Sequence, residues 1–138
     1  MVIAHKTLLA TEVLVVITMV MIMARPSVQH TVHVTNKLRD RILIVHCQSK
    51  DDDLKAHAVP VGESFRWSFE LNAFGGTLFW CKLAVQDKRL VFTAFDHYGH
   101  SAVYWYVRDD GVYGKDKLIN DVFFKAAWRR VWPRQLTS

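Results

Sequence analysis

Four large apolar side chains alternate with polar ones through Ser64-Phe65-Arg66-Trp67-Ser68-Phe69-Glu70-Leu71. A period of two sends successive side chains to opposite faces, so on a strand Phe65, Trp67, Phe69 and Leu71 share one face that needs an apolar layer against it. Shorter runs rich in Val, Ile, Thr and aromatics fall at 31–35, 41–47, 77–85, 90–95 and 102–108. Turn formers separate them at 36–40, 49–53, 60–62, 72–76, 86–89, 97–100 and 109–111. Strands recurring about every ten residues without helical patterns between them predict one all-β domain, an antiparallel sandwich or barrel. Residues 121–133 fit either a helical turn or a last strand with an aromatic tail, and Pro133 stops both.

The beginning of the chain follows other rules. His5 and Lys6 precede an uncharged run from Val13 to Ala24, polar only at Thr18. That run is much shorter than the roughly 20 residues a membrane-spanning helix needs, and Glu12 stops its extension toward the N-terminus. A basic start, a short apolar stretch and a small residue at its end describe a signal peptide, so residues 1–24 are expected to be cleaved and 25–138 to form the domain. Ile22 is bulkier than the residue usually found two places before the cut. Cleavage removes Lys6 and Glu12 together, which leaves the formal charge of +5 unchanged.

Charge and chemistry narrow the function classes. With 18 Lys and Arg against 13 Asp and Glu, and a pI near 9.4, the chain favours anionic surroundings. No Gly-x-Ser-x-Gly, phosphate loop, His-Glu-x-x-His or Cys-x-x-Cys is present, and no catalytic residue or cofactor is expected. His46 and Cys47 are strand neighbours whose side chains diverge, which argues against a thiolate–imidazole pair. Asp96, His97 and His100 offer His-x-x-His spacing without a third ligand nearby, and are read as exposed loop residues rather than a metal site. Asp51, Asp52 and Asp53 lack the alternation and glycine of a calcium loop, so they are read as a solvated turn. Aromatics that alternate as a core face should, in an exported chain, argue against nucleic acid as a partner. Export also favours a Cys47–Cys81 disulfide, which would close a loop of about 35 residues and tie two strands at roughly 4 kcal/mol on a chain-entropy estimate.

Four segments occur in a telling order: Val34-Thr35-Asn36-Lys37-Leu38, His46-Cys47-Gln48-Ser49-Lys50-Asp51-Asp52-Asp53-Leu54, Phe74-Gly75-Gly76-Thr77-Leu78-Phe79-Trp80-Cys81, and Trp105-Tyr106-Val107-Arg108-Asp109-Asp110-Gly111-Val112-Tyr113. Together they resemble the plant self-incompatibility S-protein homologue family over residues 32–113. The resemblance implies a small secreted antiparallel β-sandwich without catalysis. Founding members of the family are pistil-secreted ligands that bind a pollen plasma-membrane receptor and trigger rejection of self pollen, while most homologues act in other or unassigned settings. Typical members carry two further cysteines shortly before the Trp-x-Val-x-x-Asp-Gly block, where this chain has Ser101, Ala102 and Val103. Two arrangements stay open: loss of one whole bridge with Cys47–Cys81 retained, or a pairing that crosses the two sets and leaves both cysteines single.

The expectation is therefore a secreted, extracellular, monomeric signalling ligand that meets a plasma-membrane receptor of another cell through loops at 37–41, 50–53, 86–89, 96–100 and 109–117. Gln86, Asp87, Lys88 and Arg89, with Asp96, His97, Tyr98 and His100, are the expected receptor-binding positions. Asp51, Asp52, Asp53, Asp109, Asp110 and Gly111 match family-wide motifs and are expected to be structural turns. The alternative is adsorption of a basic protein to acidic cell-wall polysaccharide or an anionic membrane surface, carried by Trp128, Arg129, Arg130, Trp132 and Arg134.

Overall fold

The alternating runs become strands that face one another across an apolar layer. The computed structural model describes residues 2–23, 29–71, 76–97, 102–115 and 120–131. A helix α1 (Val2–Met23) precedes β1 (Gln29–Asn36), β2 (Leu43–Gln48), β3 (Asp53–Val59), β4 (Ser64–Glu70), β5 (Leu78–Val85), β6 (Lys88–Asp96), β7 (Tyr104–Arg108), β8 (Gly111–Lys115), β9 (Val122–Ala127) and β10 (Arg129–Arg130). The first sheet has the order β4-β1-β7-β8-β9 and the second β10-β6-β5-β2-β3. Pairing is antiparallel except between β1 and β7, which run parallel. The expected antiparallel sandwich is present with that one exception, and the open C-terminal segment forms two strands, β9 in the first sheet and β10 in the second.

Each strand buries the face its alternation marks. Val32 and Val34 of β1, Leu43 and Val45 of β2, Leu83 of β5, Val107 of β7 and Val112 of β8 are essentially inaccessible. Between them lies an aromatic layer, with Phe69 4.7 Å from both Phe79 and Phe95, and Phe92 4.9 Å from Trp105. Each such side chain contributes roughly 1.5–3 kcal/mol by burial, and the Trp105 indole N–H is satisfied by the Ala94 carbonyl at 2.9 Å. In the 64–71 run Trp67 is buried, whereas Phe65, Phe69 and Leu71 are only partly covered, because β4 is an edge strand.

Cys47 and Cys81 form a disulfide, which settles the open pairing. They sit opposite each other on β2 and β5, with Cα atoms 4.0 Å apart, and both are fully buried. The bond therefore ties neighbours within the second sheet, from its inner face.

The helix is apolar from Val13 onward except at Thr18, and its described side chains, residues 10–22, are exposed, Met21 at 71% and Leu14 at 64%. It buries none of those side chains in the sandwich. Among the described residues no helix is long and apolar enough to cross a membrane. The expected cut after Ala24 lies outside the described residues.

Candidate recognition surfaces

The turns joining the strands gather at the two ends of the sandwich, and Asn36 organises one of them. Alternation along β1 points Asn36 inward with Val32 and Val34, and it is the one buried polar residue among those described. Its side-chain amide donates to the carbonyls of Arg41 (2.8 Å) and Val59 (2.9 Å), and its Oδ1 accepts the Leu38 N–H at 2.9 Å. Its backbone N–H donates to the Glu63 carbonyl, and its carbonyl accepts from Gly62, both at 2.9 Å. One side chain thus pins the β1–β2 connection to the end of β3, and its backbone pins the β3–β4 turn. The signal for it was visible: a polar residue at a position whose period-two neighbours are core valines.

At this same end the β5–β6 turn and the β7–β8 turn come together. Leu38, Asp40, Arg41, Val85, Gln86, Lys88, Asp109 and Trp128 line one depression of about 190 Å³. Gln86 takes a positive φ of 51° in a two-residue hairpin turn, and the Arg89 guanidinium donates to the carbonyls of Gln86 (2.6 Å) and Lys88 (2.9 Å). Arg89 therefore braces the turn, while Gln86 and Asp87 are exposed and Lys88 half-buried. Across the depression the Arg39 N–H donates to Asp109 at 3.4 Å, and the Arg39 guanidinium lies 3.9 Å from the same carboxylate.

The second expected set lies elsewhere. Gln86–Arg89 opens β6 and Asp96 closes it, so the two sets are separated by the nine-residue strand, about 26 Å at the usual rise. They do not form one surface. Asp96 is half-buried, His97 is exposed and donates its N–H to the Thr77 carbonyl at 3.1 Å, and Tyr98 and His100 lie outside the described residues. Near that end Ser49–Asp52 and Gly76–Trp80 border a cleft of about 510 Å³.

The motif aspartates have structural tasks. Asp53 accepts His46 Nε2 at 2.6 Å and the Lys55 N–H at 2.9 Å, with Lys55 Nζ at 3.8 Å. The backbone hydrogen bond from Lys55 and then the His46 hydrogen bond hold its carboxyl below the usual value. Asp52 closes its turn with Ser49, its N–H donating to Oγ at 3.1 Å and its carbonyl accepting at 2.7 Å, while Asp51 is exposed. Asp110 accepts the Tyr113 hydroxyl, which raises the Tyr113 pKa. A Cβ on Gly111 would run into the carbonyl oxygen of Ala126 on the adjacent strand β9. Among the described residues no three His, Cys, Asp or Glu side chains are grouped to hold a metal ion.

The tail carries a correction to the alternative reading. Trp128 packs on the core and donates its indole N–H to the Arg108 carbonyl at 2.9 Å, so it anchors β10 to the β7–β8 turn instead of reaching outward. Trp132 and Arg134 lie outside the described residues. Arg129 and Arg130 are exposed and pair in register with Arg89 and Lys88, which makes two like-charged pairs at a sheet edge.

A basic two-sheet sandwich, stapled within one sheet and carrying polar turns on a rigid frame, is the class these features define. The chain belongs to the family described as plant self-incompatibility protein S1, whose sequence profile matches residues 31–128. It is 36% identical over 110 residues to S-protein homolog 21 of Arabidopsis thaliana, covering 71% of this chain and 81% of that protein. S-protein homolog 24 and S-protein homolog 27 of the same plant are 38% and 37% identical over 80 and 93 residues. Those two matches cover 54% and 62% of this chain, and 53% and 62% of the relatives. No solved structure matches the chain at a significant level.

Proposed function

We propose that the protein is a secreted, non-enzymatic signalling ligand that binds a plasma-membrane receptor of another cell through the loop cluster at the Asn36 end. Its apolar leader is removed on export, which accounts for a helix whose described side chains, residues 10–22, are all exposed. The observation that carries the reading is the convergence of the 37–41, 86–88 and 109–110 segments on one depression, fixed from beneath by buried Asn36. Loops held by a rigid sandwich are where such folds place recognition. Replacing Arg39, Gln86, Asp87 and Lys88 by Ala is expected to abolish saturable binding of the labelled protein to intact plant cells while leaving its thermal midpoint unchanged. Retained binding by that variant would refute the loop assignment.

A second reading rests on the register of Arg129 with Arg89 and of Arg130 with Lys88. Like charges placed opposite each other on paired strands destabilise, and an anionic wall polysaccharide or membrane surface would relieve them. Adsorption of that kind falls away as added salt shortens the screening length below its physiological value of about 8 Å, whereas a shaped loop interface persists.

A further inference from the structure

Over β7, β8 and β9 the outer face of the first sheet is aromatic where an exposed sheet face is ordinarily polar. Trp105 and Val107 point into the core, so Tyr104 and Tyr106 point out; Val112 is buried, so Tyr113 points out beside them. Phe123 packs edge-on against Trp105 at 6.0 Å, which leaves Phe124 on the outer side. Tyr106, Tyr113 and Phe124 are direct partners across β7, β8 and β9, and His33 stacks on Tyr104 at 4.8 Å. Tyr104 is 43% exposed and Phe124 55%. Arg108 lies 4.5 Å over the Tyr113 ring, Arg66 stands beside His33 on β4, and Lys115 pairs with Tyr104. None of these three bases is in an ion pair among the described residues.

We infer that this face is a protein-docking surface whose partner presents apolar side chains ringed by carboxylates. It rests on the ligand reading above but not on its loops. Tyr, Phe and Arg are the residues that concentrate binding energy at protein interfaces, and a contiguous exposed aromatic patch on a monomer marks such a site. The ring geometry selects the occupant. Tyr113 and Phe124 meet at 71° between planes, 5.4 Å apart, so the surface is notched and not a level platform for stacking sugar rings or bases. Notches accept side chains. A second copy of the chain would set Arg66, Arg108 and Lys115 against the same bases, which an acidic partner would instead neutralise.

The test uses the full chain, expressed and processed in plant cells, labelled, and titrated onto intact protoplasts before and after surface proteolysis. Two variants probe the face: Tyr104→Ser with Phe124→Ser, and Arg66→Glu with Lys115→Glu, all at positions whose loss leaves the core intact. Each is expected to weaken half-saturation about tenfold or more, the scale of one interface hot spot, at an unchanged thermal midpoint, and proteolysis is expected to abolish wild-type binding. Wild-type affinity in either folded variant overturns the proposal, as does binding that survives proteolysis, which would indicate a lipid or glycan surface. Concentration-dependent dimerisation in sedimentation that the Tyr104→Ser, Phe124→Ser variant loses would assign the face to a second copy and also overturn it. The loop variant runs in the same titration: loss there with normal binding by the face variants refutes the face alone, and absence of any protease-sensitive binding refutes both.

Discussion

Asn36 shows how one polar side chain can hold more structure than the apolar ones around it. Its amide is oriented by its partners, two carbonyls accepting from the NH₂ group and one N–H donating to the oxygen. Asn36→Ala would strip the buried Leu38 N–H and Val59 carbonyl, and the part-buried Arg41 carbonyl, of that side chain's hydrogen bonds, at about 3 kcal/mol. The expected outcome is a lowered unfolding free energy together with faster amide exchange at Leu38, the backbone group it alone satisfies; loss of stability with unchanged exchange there would point to a simple cavity. Asp53 gives a pH-dependent counterpart. Its carboxyl is held below the usual value of 3.8 by the Lys55 N–H and His46, so the folded state binds fewer protons than the unfolded state in that range. The contribution is complete above about pH 4–5 and is lost as pH falls through the folded value. Asp53→Asn should therefore be less stable than the wild type at neutral pH, and the gap in thermal midpoint should close on acidification toward about pH 2. A gap that widened would mean that the sign is wrong.

At the scale of elements, sequence reading succeeded where large side chains alternate and failed where small ones do. β1, β2, β4, β5, β6 and β7 all coincide with runs of Val, Ile, Phe or Trp at period two. β3 was missed because Asp53-Leu54-Lys55-Ala56-His57-Ala58-Val59 alternates only weakly, buries Val59 alone, and carries Lys55 at a positive φ of 65° beside a register shift. An edge strand with one solvated face and small residues leaves little imprint. β8 was hidden by Gly111 and Gly114, residues that weaken a strand pattern. Both are there for close approach: a Cβ on Gly114 would lie 2.6 Å from Phe123 Cζ and 2.7 Å from Trp105 Cζ3. At Gly111 the obstacle is backbone, which cannot move aside as a side chain can. Gly111→Ala is accordingly expected to cost roughly 2–3 kcal/mol, the usual range for a forced steric conflict, and to raise amide exchange along β9 more than along β2. The turns at 37–41, 49–52 and 60–62 were legible as turns, whereas the loop expected over 109–117 is strand β8 from Gly111 to Lys115; the grouping of the turns was not legible, since which end of the sandwich a turn occupies depends on strand order.

For the molecule as a whole, the disulfide divides stability between packing and covalent constraint. Domains of this size are stable by about 5–15 kcal/mol. Closing a loop across the 34-residue separation of Cys47 and Cys81 accounts for roughly 4 kcal/mol by restricting the unfolded chain. The second sheet would keep its inner face when the bond is broken, because Val45, Leu83 and Phe92 stay buried by packing rather than by the sulfurs. The reduced protein should thus remain folded near room temperature but melt roughly 15–30 °C lower, taking 4–8 °C per kcal/mol for about 100 residues. Reduction of the wild type and the variant Cys47→Ala, Cys81→Ala separate the two contributions, since the first removes only the bond and the second also two buried sulfurs. If reduction alone moved the midpoint by less than about 5 °C, the unfolded chain would already be constrained near these strands, and stability would reside in the aromatic layer.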